Sequence, residues 1–215
     1  QNSYLAQADQ IGSTWGITYD KARQLIYAAA FVKRHTSLID NDSDGKEDIG
    51  AIYSMTSTGT PSLCADLSTL GIDFGLAGYP TIAARGLPLV KTTGSVDAAI
   101  FDLVGKVGIG DIDISDDNSQ LFVMNLFDKK VYTIDIATKT LVGSGVLVPD
   151  ACTGGASRPF ALKYHRGKLY AGAICDAETS QLKPDLQANL YRLDGGTFTN
   201  ILSFPLNYPK GGAFQ

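Results

Sequence analysis

The chain is poor in the residues from which catalytic and metal centres are most often built. Among 215 residues there are two histidines, one tryptophan and three cysteines. No C-x-x-C pair occurs, which removes the usual zinc and dithiol arrangements. No G-x-S-x-G elbow places a serine nucleophile near His35 or His165. Gly105-Lys-Val-Gly-Ile-Gly110 is not followed by the Lys-Ser/Thr pair of a phosphate loop and precedes a strand-like segment instead of a helix. No apolar run approaches the roughly 18 residues that span a bilayer, and the longest, such as Leu25 to Val32, have the length of a strand. The net charge of −4, from 22 acidic against 18 basic residues, gives no electrostatic reason to expect nucleic acid or an anionic membrane as partner. A basic-then-apolar export signal is missing from the start, Gln-Asn-Ser-Tyr, so Gln1 is expected to be a mature end left by a signal peptidase.

What the chain has is hydrophobic content, 44%, sufficient for a packed domain, and internal repetition. Trp15-Gly-Ile-Thr-Tyr-Asp-Lys-Ala-Arg-Gln-Leu-Ile-Tyr27-Ala aligns with Gly110-Asp-Ile-Asp-Ile-Ser-Asp-Asp-Asn-Ser-Gln-Leu-Phe122-Val and with Pro159-Phe-Ala-Leu-Lys-Tyr-His-Arg-Gly-Lys-Leu-Tyr170-Ala. Each segment reads as an alternating strand, a polar turn and a second strand opened by Leu or Ile and an aromatic. A third strand follows in each unit, at Ala51-Ile-Tyr53, Val131-Tyr132-Thr-Ile-Asp135 and Asn189-Leu-Tyr191. A fourth follows at Pro61-Ser-Leu-Cys-Ala-Asp, Thr140-Leu-Val-Gly and Phe198-Thr-Asn-Ile-Leu-Ser. Four antiparallel strands per repeat, with aromatics at matched places, describe an all-β β-propeller, an open β-sandwich being the competing arrangement.

The second unit, with Ile114-Ser-Asp-Asp-Asn, Leu121-Phe-Val-Met-Asn125, Val131-Tyr-Thr-Ile-Asp135 and Thr138-Lys139, resembles the YVTN and NHL classes of propeller repeat. More broadly, residues 12–210 resemble the propeller-containing head regions of large bacterial surface proteins, which implies an exported protein of the bacterial cell surface. The expected blades are 12–66, 108–148 and 157–206, with 67–107 read as an insertion in preference to a degenerate blade. The gap between Tyr27 and Phe122 is about twice that between Phe122 and Tyr170, and Gly, Pro and Thr dominate from Gly71 to Gly94. Within the insertion, Val96-Asp-Ala-Ala-Ile-Phe-Asp-Leu-Val104 has apolar residues at helical spacing and predicts one short helix. Propellers have at least four blades, so three are expected to be the N-terminal part of a longer chain.

Loop lengths add a direction. The connections between second and third strands are long at Lys33–Gly50 and Cys175–Gln187 and short in the middle unit. In a blade these emerge on the same side as the inter-blade connections, so all three elaborations, including 67–107, are expected on one face.

Asp40-Asn-Asp-Ser-Asp-Gly-Lys-Glu-Asp48 spells D-x-D-x-D-G-x-x-D. Calcium takes six to eight hard oxygens, and alternating carboxylates on a tight turn converge on one ion. The expected ligands are Asp40, Asp42, Asp44 and Asp48 by side chain and Lys46 by its carbonyl, with Gly45 allowing the turn. The spacing resembles the calcium hairpins of integrin α-subunit propellers. It departs from an EF-hand, because Ala51 stands where the last glutamate would be. The ion expected is Ca2+ as a structural clip, and the neighbouring Lys33-Arg34-His35 cluster is expected to offset the acidic loop.

Cys152 and Cys175 fall on the same expected face and are expected to form a disulfide, which implies an oxidising compartment. Cys64 is expected on an outer strand as a small hydrophobe. The function these features imply is a non-catalytic, calcium-stabilised module for adhesion, with a protein or glycan ligand on the loop-rich face and the secretion or surface-attachment machinery as a further partner. The alternative is a propeller hydrolase or lyase acting on glycans or lactones.

Overall fold

Twelve strands, each hairpin-linked to the next within its own sheet, account for the three repeats in a computed structural model that describes residues 5–90 and 92–208. The first sheet is β1 (Thr14–Asp20), β2 (Leu25–Ala30), β3 (Ala51–Met55) and β4 (Ser62–Asp66). The second is β5 (Ile109–Ile114), β6 (Gln120–Asn125), β7 (Lys130–Asp135) and β8 (Thr140–Leu147). The third is β9 (Ser157–His165), β10 (Lys168–Cys175), β11 (Gln187–Asp194) and β12 (Thr197–Pro205). All three are antiparallel with strands in sequence order, and β1, β5 and β9 lie beside one another as the inner strands. Four-stranded meanders packed in series around neighbouring first strands are propeller blades.

Local chemistry sets the hairpins. Arg166-Gly167 joins His165 to its partner Lys168, and Gly195-Gly196 joins Asp194 to Thr197. All four turn residues have positive φ, the conformation that matches the twist of a two-residue hairpin. Between β5 and β6, Asp117 accepts from the Ser119 N–H and from both the Ser115 and Ser119 hydroxyls, closing the Ser-Asp-Asp-Asn turn.

Two apolar layers form between the blades. Tyr27, Ile52 and Leu67 of the first blade meet Ile112, Leu121 and Ile134 of the second, all buried. Gly16 lets the inner strands approach, because a Cβ there would lie 2.7 Å from the Ile112 nitrogen. Phe122, Met124 and Val131 then meet Leu162, Leu169, Ala171 and Tyr191 of the third blade, with Phe122 stacked on Tyr164 at 5.1 Å. Carboxylates reinforce this second interface: Asp111 accepts the Leu162 N–H at 3.1 Å and Asp113 the Tyr164 N–H at 2.6 Å.

Among the described residues, 67–107 contains no strand and is an insertion of short turns and single-turn helices. The helix expected over Val96–Val104 is not formed. A single 3-10 turn, Ala98–Ile100, is followed by turns through Lys106. Asp97, with φ 45°, sits outside helical geometry because its carboxylate is held by Arg85 and by the His35 N–H.

Candidate functional site

The β2–β3 connection carries the acidic hairpin. Asp40, Asp42 and Asp48 each bring a carboxylate oxygen to within 4.8 Å of the others. The loop folds around these groups: Asp40 accepts the N–H of Asp44 at 3.2 Å and of Gly45 at 3.0 Å, and Asp42 accepts Asp44 N–H at 3.1 Å. Gly45 has φ 86°, the left-handed turn that a residue without Cβ accommodates. Asp48 is steadied by the backbone and side-chain N–H groups of Asn41, at 2.8 and 2.7 Å. Burial pushes its carboxyl up, and the Asn41 bonds oppose that. Three convergent carboxylates on a tight turn are the donor chemistry a hard divalent cation requires.

Asp44, expected as a fourth carboxylate ligand, borders the same cavity as Asp42 and Asp48. Its Oδ1 accepts the Lys46 N–H at 2.8 Å, which turns it along the loop. Lys46 points its ammonium to the Leu76 carbonyl at 3.3 Å and so joins the hairpin to the insertion. A carboxylate that the sequence pattern did not reveal borders the same cavity of about 270 Å3: Asp66, at the end of β4. Its only local signal is the Asp-Leu-Ser turn, where Asp66 accepts the Ser68 N–H.

Behind the hairpin lies a buried ionic network. Arg85, from the insertion, donates to Glu47 at 2.5 Å and to both oxygens of Asp97 at 3.2 and 2.6 Å. The guanidinium also donates to the carbonyls of Lys33 and Thr36, both at 3.2 Å. Glu47 further accepts the Tyr79 hydroxyl and the Leu38 N–H. Burial alone would favour neutral Arg85, but Asp97, Tyr79 and Glu47 hold it charged and raise its pKa. Asp97 is correspondingly lowered: burial opposes its ionisation, and Arg85 and the His35 N–H outweigh that.

Of the Lys33-Arg34-His35 cluster, expected to offset the acidic loop, Arg34 and His35 contact the insertion. Arg34 donates to the Val96 and Asp97 carbonyls and lies 5.0 Å over the Phe101 ring. His35 pairs through Nδ1 with the Ser95 hydroxyl at 2.8 Å, on an exposed loop. His165 ends β9 at the opposite pole, far from this group in the fold.

On the third blade the β10–β11 connection is fastened by the Cys152–Cys175 disulfide, with an S–S distance of 2.00 Å. Arg158 bridges Asp176 at 2.7 Å and Glu178 at 3.1 Å, and Lys106 from the end of the insertion reaches Glu178 at 3.0 Å. Burial disfavours the Asp176 carboxylate, but N–H groups of Glu178 and Ala156 and the Arg158 side chain outweigh it, lowering its pKa to about 2. Cys64 is on β4, an outer strand, half-buried, with burial pushing its thiol up. At the mouth of the inner strands on this same side, Trp15, Phe31 and Phe160 form a triangle with ring centroids 5.6 to 6.0 Å apart. The long loops, the insertion, the acidic hairpin and the disulfide therefore share one pole, while short turns occupy the other.

The fold and this pole define the class: a run of propeller blades with one elaborated face. No family model matches the chain. Its sequence is similar to Colossin-A of Dictyostelium discoideum, 28% identical over 209 residues that cover 93% of this chain and 2% of that protein. Colossin-D of the same organism is 24% identical over 214 residues, covering 97% of this chain and 21% of that protein, and Colossin-B is 26% identical, covering 96% and 5%. The chain thus spans between 2% and 21% of the length of these curated relatives. Those relatives come from Dictyostelium discoideum and give no support to the bacterial source expected from the repeat resemblance. Among solved structures, Saccharomyces cerevisiae Sqt1 superposes with a TM-score of 0.42 at 11% identity, covering 92% of this chain and 36% of that one. A protein from Lactobacillus plantarum superposes with a TM-score of 0.39 at 19% identity, covering 90% and 43%.

Proposed function

We propose that this chain is a non-catalytic propeller module of an exported protein, stiffened by calcium and presenting its elaborated pole to a protein or glycan ligand. The observation that carries this reading is the concentration of every fastening device at that pole: the Asp40/Asp42/Asp48 group, the Arg85 network and the Cys152–Cys175 bond. Rigid scaffolds hold long loops in this way where those loops make contacts. The hard-oxygen donor set suits calcium better than magnesium, which demands a stricter octahedron. Asp40, Asp42 and Asp48 would hold the ion, with Asp44 and Asp66 bordering the same cavity. A disulfide and a calcium clip both belong to an extracellular setting. The inner-strand carboxylates, Asp111 and Asp113, are engaged by backbone N–H groups of the next blade, which favours scaffolding over catalysis in the channel.

The test is a glycan and extracellular-protein array probed with the 215-residue chain in calcium and in chelator, alongside Asp42→Ala and calorimetric titration of calcium. Calcium-dependent capture that Asp42→Ala abolishes supports the reading. Equal heats from the parent and the variant would remove the metal site, and turnover of an arrayed glycan would replace a binding module with an enzyme.

A further inference from the structure

Neighbouring residues of the acidic hairpin serve two sets of partners. Asp40, Asp42 and Asp48 converge on one position. The three residues between Asp44 and Asp48 bond to the insertion. The Gly45 carbonyl accepts the Ile82 N–H at 3.0 Å, the first N–H of the single-turn helix Ile82–Arg85. The Lys46 ammonium donates to the Leu76 carbonyl at 3.3 Å. Glu47, 1% exposed, accepts the Tyr79 hydroxyl and the Arg85 guanidinium on Oε2 and the hairpin's own Leu38 N–H on Oε1. Phe74 and Leu76 also form apolar walls of the cavity that Asp42, Asp44, Asp48 and Asp66 border.

The insertion is fixed unevenly along its length. Its first part is tied to the second blade, where the Asp73 carbonyl accepts from the Asn125 side chain at 2.8 Å and the Phe74 carbonyl accepts the Gly108 N–H at 2.9 Å. From Leu76 to Arg85 the bonds run to the hairpin, to the Lys33 and Thr36 carbonyls and to Asp97. This stretch consists of turns and single-turn helices, so those bonds decide whether it lies closed. We infer that residues 76–85 are a calcium-controlled strap: filling the Asp40/Asp42/Asp48 position closes them onto the hairpin, and emptying it releases them. This control presupposes the calcium site proposed above. Without a cation, three carboxylates within 4.8 Å of one another repel, which favours an open hairpin. Opening carries Gly45, Lys46 and Glu47 along, because they lie in sequence between Asp44 and Asp48. The strap then loses its partners on the hairpin, and Arg85 keeps only Asp97 as a carboxylate partner. The coupling is reciprocal, since a closed strap fixes Glu47 and through it the adjacent Asp48. Tyr79 and Arg85 act as positioning residues that do not touch the ion. The shape of the elaborated pole, and with it the surface offered to a ligand, follows calcium.

Hydrogen exchange of the 215-residue chain in calcium and in chelator, paired with calorimetric titration of calcium, tests the strap. At about a hundred times the dissociation constant, exchange across 76–85, and of the Ile82 N–H above all, is expected to slow by about a hundred-fold. An ion that binds only the closed hairpin lowers the open population by that factor. The 175–187 loop, which opens by itself, is expected to exchange equally in both conditions. Tyr79→Phe removes one bond to Glu47 and no contact with the ion, and it is expected to weaken calcium binding by about ten-fold. Calcium heat with unchanged exchange over 76–85 overturns the strap and leaves the metal site standing. No calcium heat overturns both. Equal slowing at 175–187 overturns the strap as well, because the ion would then act on the whole fold, and so does a calcium affinity that Tyr79→Phe leaves unchanged. The exchange comparison uses the parent chain, so a variant that fails to fold leaves the test intact.

Discussion

The first and third blades lengthen the same connection, between their second and third strands, and hold it by different physics. In the first blade the loop is held by charge: Arg85 reaches in from the insertion, two carboxylates flank it, and the acidic hairpin folds beside them. In the third blade the loop is held by a covalent bond, with the Arg158–Asp176–Glu178 group lying at the surface. The middle blade, whose connection is a tight turn, has neither. A long loop on a rigid sheet has conformational entropy to lose, and these two loops show two means of limiting it. The ionic means depends on burial and on every partner being present, and the covalent one depends on redox state.

The comparison is broken most severely at Arg85. Arg85→Met leaves Glu47 and Asp97 buried without their cation and is expected to cost about 3 to 5 kcal/mol in urea denaturation. A loss below about 1 kcal/mol, the scale of a surface pair, would show that the network does not secure the first loop. Next comes the covalent loop. Cys152→Ala with Cys175→Ala, spanning a sequence separation of 23, is expected to lower stability by about 3 kcal/mol. It should leave proteolysis of the 33–50 loop unchanged. Calcium sharpens the contrast from the other side. At about a hundred times its dissociation constant it is expected to add roughly 2.7 kcal/mol, an increment Asp42→Ala abolishes. Limited proteolysis should show that protection at 33–50 and not at 175–187.

The smallest effect is a pH dependence confined to the third blade. Asp176 has its carboxyl lowered from 3.8 to about 2, so its contribution is fully present above 3.8 and disappears as pH falls towards 2. Carboxyl chemical shifts followed through that interval should place its midpoint near 2 and move it upward in Arg158→Met. A midpoint already at the ordinary aspartate value would detach Asp176 from the loop's support.

The blades were legible because their signals are local. Alternation in Gly110–Ile114, the Ser-Asp-Asp-Asn turn and the glycine hairpins each act within a few residues. Asp40, Asp42 and Asp48 were likewise readable from spacing on a single loop. Alternation could not say which carboxylate turns back to a neighbouring N–H, as Asp44 does to that of Lys46. Val96–Val104 looked helical by the same kind of pattern, and Asp97 was withdrawn from the helix by partners remote in sequence. The Arg85–Glu47 pair, 38 positions apart, had no sequence signature at all.

The sequence by itself determined the three four-stranded repeats, their turns, the placement of long loops at one pole and the clustering of acidic residues on one hairpin. Those properties arise from side-chain period and backbone preference, which act over short stretches. Only the tertiary structure decided that Arg85 would lie between Glu47 and Asp97, that Arg34 and His35 would turn to the insertion, and that Ile17 and Leu202 would face outward. Each of these depends on which surfaces meet after the sheets pack. Burial, not spacing, sets the strength of the charges and the fate of the apolar faces.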